Sequence, residues 1–316
     1  MTWEETKMGM LIDGKWHNDA DRSMVSGTYR REQSALPSRI GDAARQRLRA
    51  SPNDFVLIAS ASCPWSHATV ITATLCGYAD TLPIQSAGGP RIQGYGLLPE
   101  GPITGATDVR HAHQLYTLTD PTYTGRATVP MLWDKANQMI LSNASADIIT
   151  ILIETGTHTH LDPAREGPDV ASLTQQIFDG LSNAVYRAGK AERQNEYDDA
   201  VDTVFTTMAH LETRLADRPF LFGPQMTTAD IRLFATLVRF DTVYATHFRC
   251  TRKRLVDHPN LWRFTRRIYQ MPGIQTTVDF NEIRFGYYVN DGSHNPFNII
   301  AQQPEIDWDS TDGLTV

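Results

Sequence analysis

The chain is short of cysteine, of positive charge and of long apolar runs, and each shortage excludes something. Three cysteines among 316 residues, at 63, 76 and 250, make no disulfide framework. A reducing cytoplasm is the expected home. Lys and Arg number 29 against 36 Asp and Glu, a net charge of −7, which argues against a nucleic-acid or anionic-membrane surface. No stretch approaches the roughly 20 apolar residues of a membrane helix. The opening MTWEETKMGMLIDG has no long apolar core and does not read as a secretory signal. Internal repeats and low-complexity tracts are also missing. What is present, 41% hydrophobic and 21% charged residues, is ordinary globular composition, long enough for about two domains.

Residues 1–50 are polar and read as an irregular N-terminal extension. Residues 54–60 form a first strand and 64–77 a helix with Val70, Thr74 and Leu75 inward, stopped by Gly77. Leu82 to Ile84 is a short second strand at best. Residues 86–127 form a long Gly- and Pro-rich insert. Strands return at Thr128–Trp133 and Met139–Leu141, and Ser142 or Asn143 is placed to cap the following helix. This order matches an α/β thioredoxin-like domain with a mixed four-stranded sheet over 51–156. A linker at 157–170 leads to an all-α domain over 171–316. There Tyr197, Val201, Val204, Phe205, Met208, Leu211 and Leu215 form an apolar stripe. Thr227 to Asp230 reads as a capping box ahead of a buried helix.

The chemistry is expected at Ser60-Ala61-Ser62-Cys63-Pro64-Trp65-Ser66-His67, directly after the apolar run Phe55–Ala59. A buried strand ends at the cysteine, and proline opens the next helix. Unpaired backbone N–H groups converge there, which suits a sulfur nucleophile. The plainer alternative is a buried structural cysteine. Ser145 stands near a helix start, where backbone N–H groups and a hydroxyl can take a carboxylate, or where it simply caps the helix. His111 with His113 and His158 with His160 lack partners at metal-site spacing and read as solvated loop residues, so no metal is expected. His67 is given no role.

Longer strings give a family resemblance. They are Cys63-Pro64-Trp65-Ser66-His67, Thr128 to Lys135, Asn183 to Gly189, Thr228 to Phe234 continuing through Arg239-Phe240-Asp241 and Tyr244, Tyr287-Tyr288, and Asn295-Pro296. Together they resemble the glutathionyl-hydroquinone reductases, the Xi class of glutathione transferases, over nearly the whole chain. The resemblance implies a glutathione transferase fold and a homodimer. It implies that Cys63 attacks the sulfur of a glutathionyl-hydroquinone, a small aromatic thiol conjugate, and that a second thiol resolves the mixed disulfide. It makes Val129-Pro130 a cis pair that turns main chain toward the thiol. It places Trp65, Tyr95, Val129, Pro130, Ala144 and Ser145 at the thiol, Tyr186 and Tyr287 as proton donors beside Cys63, and Tyr288 and Tyr244 in the substrate pocket. Without the family, each tyrosine reads as a packing residue.

The chain departs from the family pattern in four places. Ala144 replaces a glutamate beside Ser145, Tyr95 a tryptophan, Leu118 a basic residue and Gly286 a histidine. Loss of the glutamate removes a charge-assisted contact to the thiol's ammonium group, worth roughly 1.5–3 kcal/mol. Glutathione is the cosubstrate the resemblance implies, and the missing glutamate makes mycothiol, which lacks a γ-glutamyl group, the variant reading. A general thioltransferase and a non-catalytic scaffold remain as alternatives.

Overall fold

The structure is a computed structural model and describes residues 9–18, 24–25, 28–29, 36–98, 103–157, 161, 166–311 and 314. The chain divides into two compact units. The first takes Met1–Arg22, Glu32–Thr159 and Asn281–Ala301; the second takes Ser23–Arg31, His160–Phe280 and Gln302–Val316.

The first unit begins with a hairpin, β1 (Met10–Ile12) on β2 (Lys15–His17). Two short strands, β3 (Met24–Val25) and β4 (Thr28–Tyr29), pair with each other and belong to the second unit. Back in the first unit come α1 (Asp42–Ala50), β5 (Phe55–Ala59) and α2 (Pro64–Leu75). β6 (Ile84–Gly88), β7 (Gly96–Leu98) and α3 (Ala112–Thr119) follow. The unit's core closes with β8 (Met131–Asp134), β9 (Met139–Ser142) and α4 (Ser145–Thr155). The sheet order is β7-β6-β5-β8-β9. β5 lies at its centre, parallel to β6 and antiparallel to β8, with Leu57 opposite both Ile84 and Leu132. All five of its residues are buried, as an unbroken apolar run requires when both faces are covered.

Arg47 of α1 grips Asp134 at the end of β8 with two bonds, 2.6 and 3.0 Å. Burial works to raise the Asp134 carboxyl, but the bonds from Arg47 and Asn137 outweigh it and hold the group below its usual range. The grip ties α1 to the sheet, so the described residues among 1–50 are not an irregular extension: Met10, Leu11 and Leu48 are core residues. The sheet has five strands rather than four, because the insert supplies β7 as an edge partner for β6. The second strand also runs further than its apolar start at Ile84 suggests, since main-chain pairing carries it to Gly88. In α2 the inward residues include Ile71, Thr72 and Leu75, while Val70 and Thr74 are only half-buried. α4 is entered from Ala144, not Ser142 or Asn143. Ser142 Oγ instead accepts from Ala144 N and donates to Asp147.

The second unit is helical apart from its short strand pair. α5 (Pro168–Ile177) runs through a wide π turn at Phe178–Ser182 into α6 (Ala184–Gly189). α7 (Gln194–Arg214) buries Val201, Val204, Phe205, Met208 and Leu211, the expected stripe, while Tyr197 at its start is half-buried. α8 (Thr228–Leu237) is capped as predicted. Asp230 accepts from Thr227 N at 2.8 Å, Thr227 Oγ1 at 2.9 Å and Leu221 N at 2.7 Å. A second π turn at Phe240–Tyr244 precedes α9 (Pro259–Tyr269). α10 (Phe280–Tyr288) starts in this unit and finishes in the first. The expected boundary of 171–316 for the helical domain therefore needs correction. Residues 281–301 pack with the sheet unit, because Gly286 lies against Ser62 and Asn290 bonds to Gly89 and Arg91. Among the described residues no helix is long and apolar enough to cross a membrane.

Candidate active site

The site is built where β5 ends. Its last residue, Ala59, leads into a tight loop closed by Cys63 N donating to Ser60 O at 3.0 Å. Cys63 is the N-cap of α2, with an extended φ of −86° and Pro64 as the first helical residue. Its own carbonyl already accepts from His67 N at 2.9 Å. The sulfur lies 3.6 Å from the Val129 carbonyl oxygen, and the Val129–Pro130 peptide is cis. Cys63 keeps 8% exposure and Trp65 beside it 9%. By contrast, burial pushes the thiols of Cys76 and Cys250 up to about 12, which removes both as nucleophiles near neutral pH.

A second segment of the first unit reaches this loop. Gly286 in α10 approaches so closely that a Cβ there would lie 2.4 Å from Ser62 Cβ. The next residues, Tyr287 and Tyr288, are buried at 9% and 5% exposure. Ser62 Oγ in turn pairs with Ser60 Oγ at 3.0 Å. Tyr95, just ahead of β7, is half-buried under the Arg91 guanidinium, whose centre is 4.2 Å from the ring and whose Nη2 donates to the hydroxyl at 3.0 Å. Ala144 is exposed and Ser145 half-buried at the start of α4.

Tyr116 of α3 was not foreseen from the sequence, and its hydroxyl joins two of these segments. It donates to Thr128 O at 2.8 Å and accepts from Thr128 N at 3.1 Å and Asn143 Nδ2 at 2.7 Å. Thr128 precedes Val129, and Asn143 precedes Ala144. A fully buried phenol thus fixes the main chain beside the sulfur to the head of α4, and burial raises it far above its ordinary range. A tyrosine inside a Gly-rich insert gives no local signal for such a role.

The remaining candidates belong to the second unit. Tyr186 follows the first π turn and Tyr244 closes the second, a feature often found at functional sites. Their rings are 6.1 Å apart, and Phe248 lies 5.2 Å from Tyr186 and 5.5 Å from Tyr244. Tyr244 is fully buried. It packs within this cluster. A separate cavity of about 780 Å³ in this unit is lined by Asp241, Arg254, Trp262, Arg266 and Ile306 among others, and contains none of the candidate residues.

Residues 194–267 match the glutathione S-transferase C-terminal domain family. The glutathionyl-hydroquinone reductase YqjG of Escherichia coli K12 is 38% identical, over 98% of this chain and 99% of that protein. The chain belongs to the glutathionyl-hydroquinone reductases, the Xi class of glutathione transferases. The glutathione-bound structure of YqjG superposes with a TM-score of 0.77 at 40% identity, over 83% of this chain and 88% of that one. A Xi-class transferase from Natrialba magadii superposes at 0.83 with 34% identity, covering 98% of each.

Within this Xi-class chain the four departures have distinct surroundings. Leu118 is exposed at 49% and Ala144 is exposed, so neither is imposed by packing. Tyr95 is held by Arg91. Gly286 is imposed, since any side chain would strike Ser62. Two histidine readings also need revising. His111 is the N-cap of α3. His113 is buried at 9% exposure, stacked 4.6 Å from Trp16 and 5.7 Å from His111. These are packed rings, not solvated loop residues, because the hairpin β1–β2 carries Trp16 onto them. His158 and His160 lie outside the described residues.

Proposed function

We propose that this chain reduces thiol conjugates of hydroquinones, with Cys63 as nucleophile. The Cys63 thiolate attacks the conjugate's sulfur and forms a new S–S bond. The electron pair of the breaking C–S bond goes to the ring carbon, which takes a proton, and free hydroquinone leaves. A second thiol then attacks the mixed disulfide, returns Cys63 as thiolate and departs as the oxidised disulfide. The conjugate's own sulfur and the second thiol are each oxidised by one electron, which balances the two-electron reduction of the ring carbon. The observation that carries this reading is the Cys63 sulfur at the head of α2, 3.6 Å from the carbonyl of a cis Val129–Pro130 pair.

Tyr287, on the helix that touches the nucleophile loop, is the proton donor we assign first, with Tyr288 beside it in the substrate pocket. Tyr186 carries its role from the family resemblance. Trp65, Tyr95, Val129, Pro130, Ala144 and Ser145 form the thiol site in this reading. The thiol itself is glutathione or a relative without the γ-glutamyl ammonium, such as mycothiol, and the exposed Ala144 favours the second. A homodimer and a reducing cytoplasmic home complete the proposal, the latter supported by three free cysteines.

The test is product analysis with glutathionyl- and mycothiol-conjugated naphthohydroquinones, each run with its own thiol. Free hydroquinone should appear, and Cys63→Ala should abolish it. Turnover of a simple mixed disulfide with no hydroquinone release would replace this reading with a general thioltransferase. Calorimetric titration of both thiols into Cys63→Ser protein decides the cosubstrate. Tight glutathione binding would end the altered-thiol reading. Light scattering on the purified chain tests the dimer.

A further inference from the structure

Asn290 stands two residues beyond the end of α10 and makes three bonds with one carboxamide. Its Nδ2 donates to Gly89 O at 3.2 Å and to Gly286 O at 3.3 Å, and its Oδ1 accepts from Arg91 N at 2.8 Å. Two of these bonds join segments 199 and 201 residues apart in sequence, so local preference did not put them there. At one end of the clamp is Arg91, which holds the ring and hydroxyl of Tyr95. At the other is Gly286, the contact point with the nucleophile loop, followed at once by Tyr287. Gly89 turns at a φ of +72°, which brings its carbonyl and the Arg91 amide to the same side chain across Pro90.

We propose that Asn290 is a positioning residue for the Cys63 reaction, fixing the Tyr95 loop and the Tyr287 helix to one another beside the sulfur. The inference rests on the reading of Tyr287 as proton donor. Asn290 touches no reacting atom, and its effect on turnover passes through Tyr287. A clamp of this kind acts on the step in which the ring carbon is protonated. It should not alter the access of small reagents to Cys63, whose loop is closed by its own bonds.

The experiment compares wild type, Asn290→Ala, Tyr287→Phe and the double variant with glutathionyl-naphthohydroquinone. Each kcat is normalised to the Cys63 that iodoacetamide can alkylate, which removes any misfolded fraction. Asn290→Ala should lower kcat by about tenfold to a hundredfold, the cost of a small misplacement, with the alkylation rate of Cys63 unchanged. In the Tyr287→Phe background the same change should cost less than about twofold, because the group it acts through is gone. An unchanged kcat in Asn290→Ala, or losses that multiply in full in the double variant, would overturn the proposal. Should Asn290→Ala not fold, Asn290→Ser takes its place.

Amide exchange of residues 88–97 and of the last turn of α10 reads the clamp without turnover. Both should rise together in Asn290→Ala, and a rise in neither ends the proposal. If wild type releases no hydroquinone, or Tyr287→Phe remains fully active, the functional reading of the site falls by itself, and the exchange result alone decides the clamp.

Discussion

The buried ring of His113 gives this chain a calculable response to acid. Its imidazole is stacked on Trp16 with an interplanar angle of 20°, and Nε2 lies 3.2 Å from Gln93 Oε1. Burial, and then the neighbouring His111, bring its pKa from 6.5 down to about 4. The folded state therefore keeps the ring neutral at pH values where the unfolded chain takes up a proton. Stability should fall as pH drops below about 6.5, and the loss is complete near 4. Between about pH 7 and 4.5 one such ring costs about 2.5 kcal/mol. Asp230 works the other way. Burial raises it from 3.8 to about 6, so the folded state holds a proton there that the unfolded chain sheds, and its contribution grows as pH falls through that range. The two slopes oppose each other, so the wild-type curve alone does not isolate the ring. The informative quantity is the gap between wild type and His113→Gln, which keeps a donor for Gln93 and cannot titrate. Urea unfolding across this range should show the gap move by about 2.5 kcal/mol in the variant's favour on acidification. A gap that stays constant with pH would refute the account of the stack.

Three further outcomes are expected. Native alkylation near pH 8 should add one group, at Cys63, since burial holds Cys76 and Cys250 near 12; labelling of either in intact-mass spectra would contradict their packing. Gly286→Ala should destabilise the first unit by about 1–3 kcal/mol through overpacking. Ser62→Gly should restore most of that loss in thermal melts, because it removes the atom struck, and no rescue would mean that the contact is not the cause. Tyr116→Phe should cost about 1–3 kcal/mol by removing the hydroxyl that bonds Thr128 and Asn143, and should weaken thiol binding to Cys63→Ser protein. Unchanged stability would show that water replaces the hydroxyl.

Elements with strong local signals were legible in the sequence. β5 is an unbroken apolar run, Cys63-Pro64 marks the head of a helix, and Thr227 to Asp230 carries a capping box. The cis Val129–Pro130 pair was readable through family resemblance rather than from the residues alone. What stayed hidden depends on long-range pairing. β7 is three residues whose strand character comes from β6. Met10 and Leu11 look like part of a polar arm until Leu11 exchanges bonds with Gly125. The places of His113, Tyr116 and Asn290 are set by partners 20 to 201 residues away, beyond any periodicity. A motif match fixes the identity of Tyr244 and not its burial, which is complete.

The sheet unit borrows its last piece, Asn281–Ala301, from beyond Thr159. On the ribosome, residues 160–280 must be made in between, which takes roughly 6 to 24 s at ordinary rates of about 5–20 residues per second. During that delay Ser62 lacks the neighbour that covers it in the finished molecule. The nascent chain thus carries the Cys63 loop before the tyrosines of α10 exist, and the sheet unit is completed only once they are made.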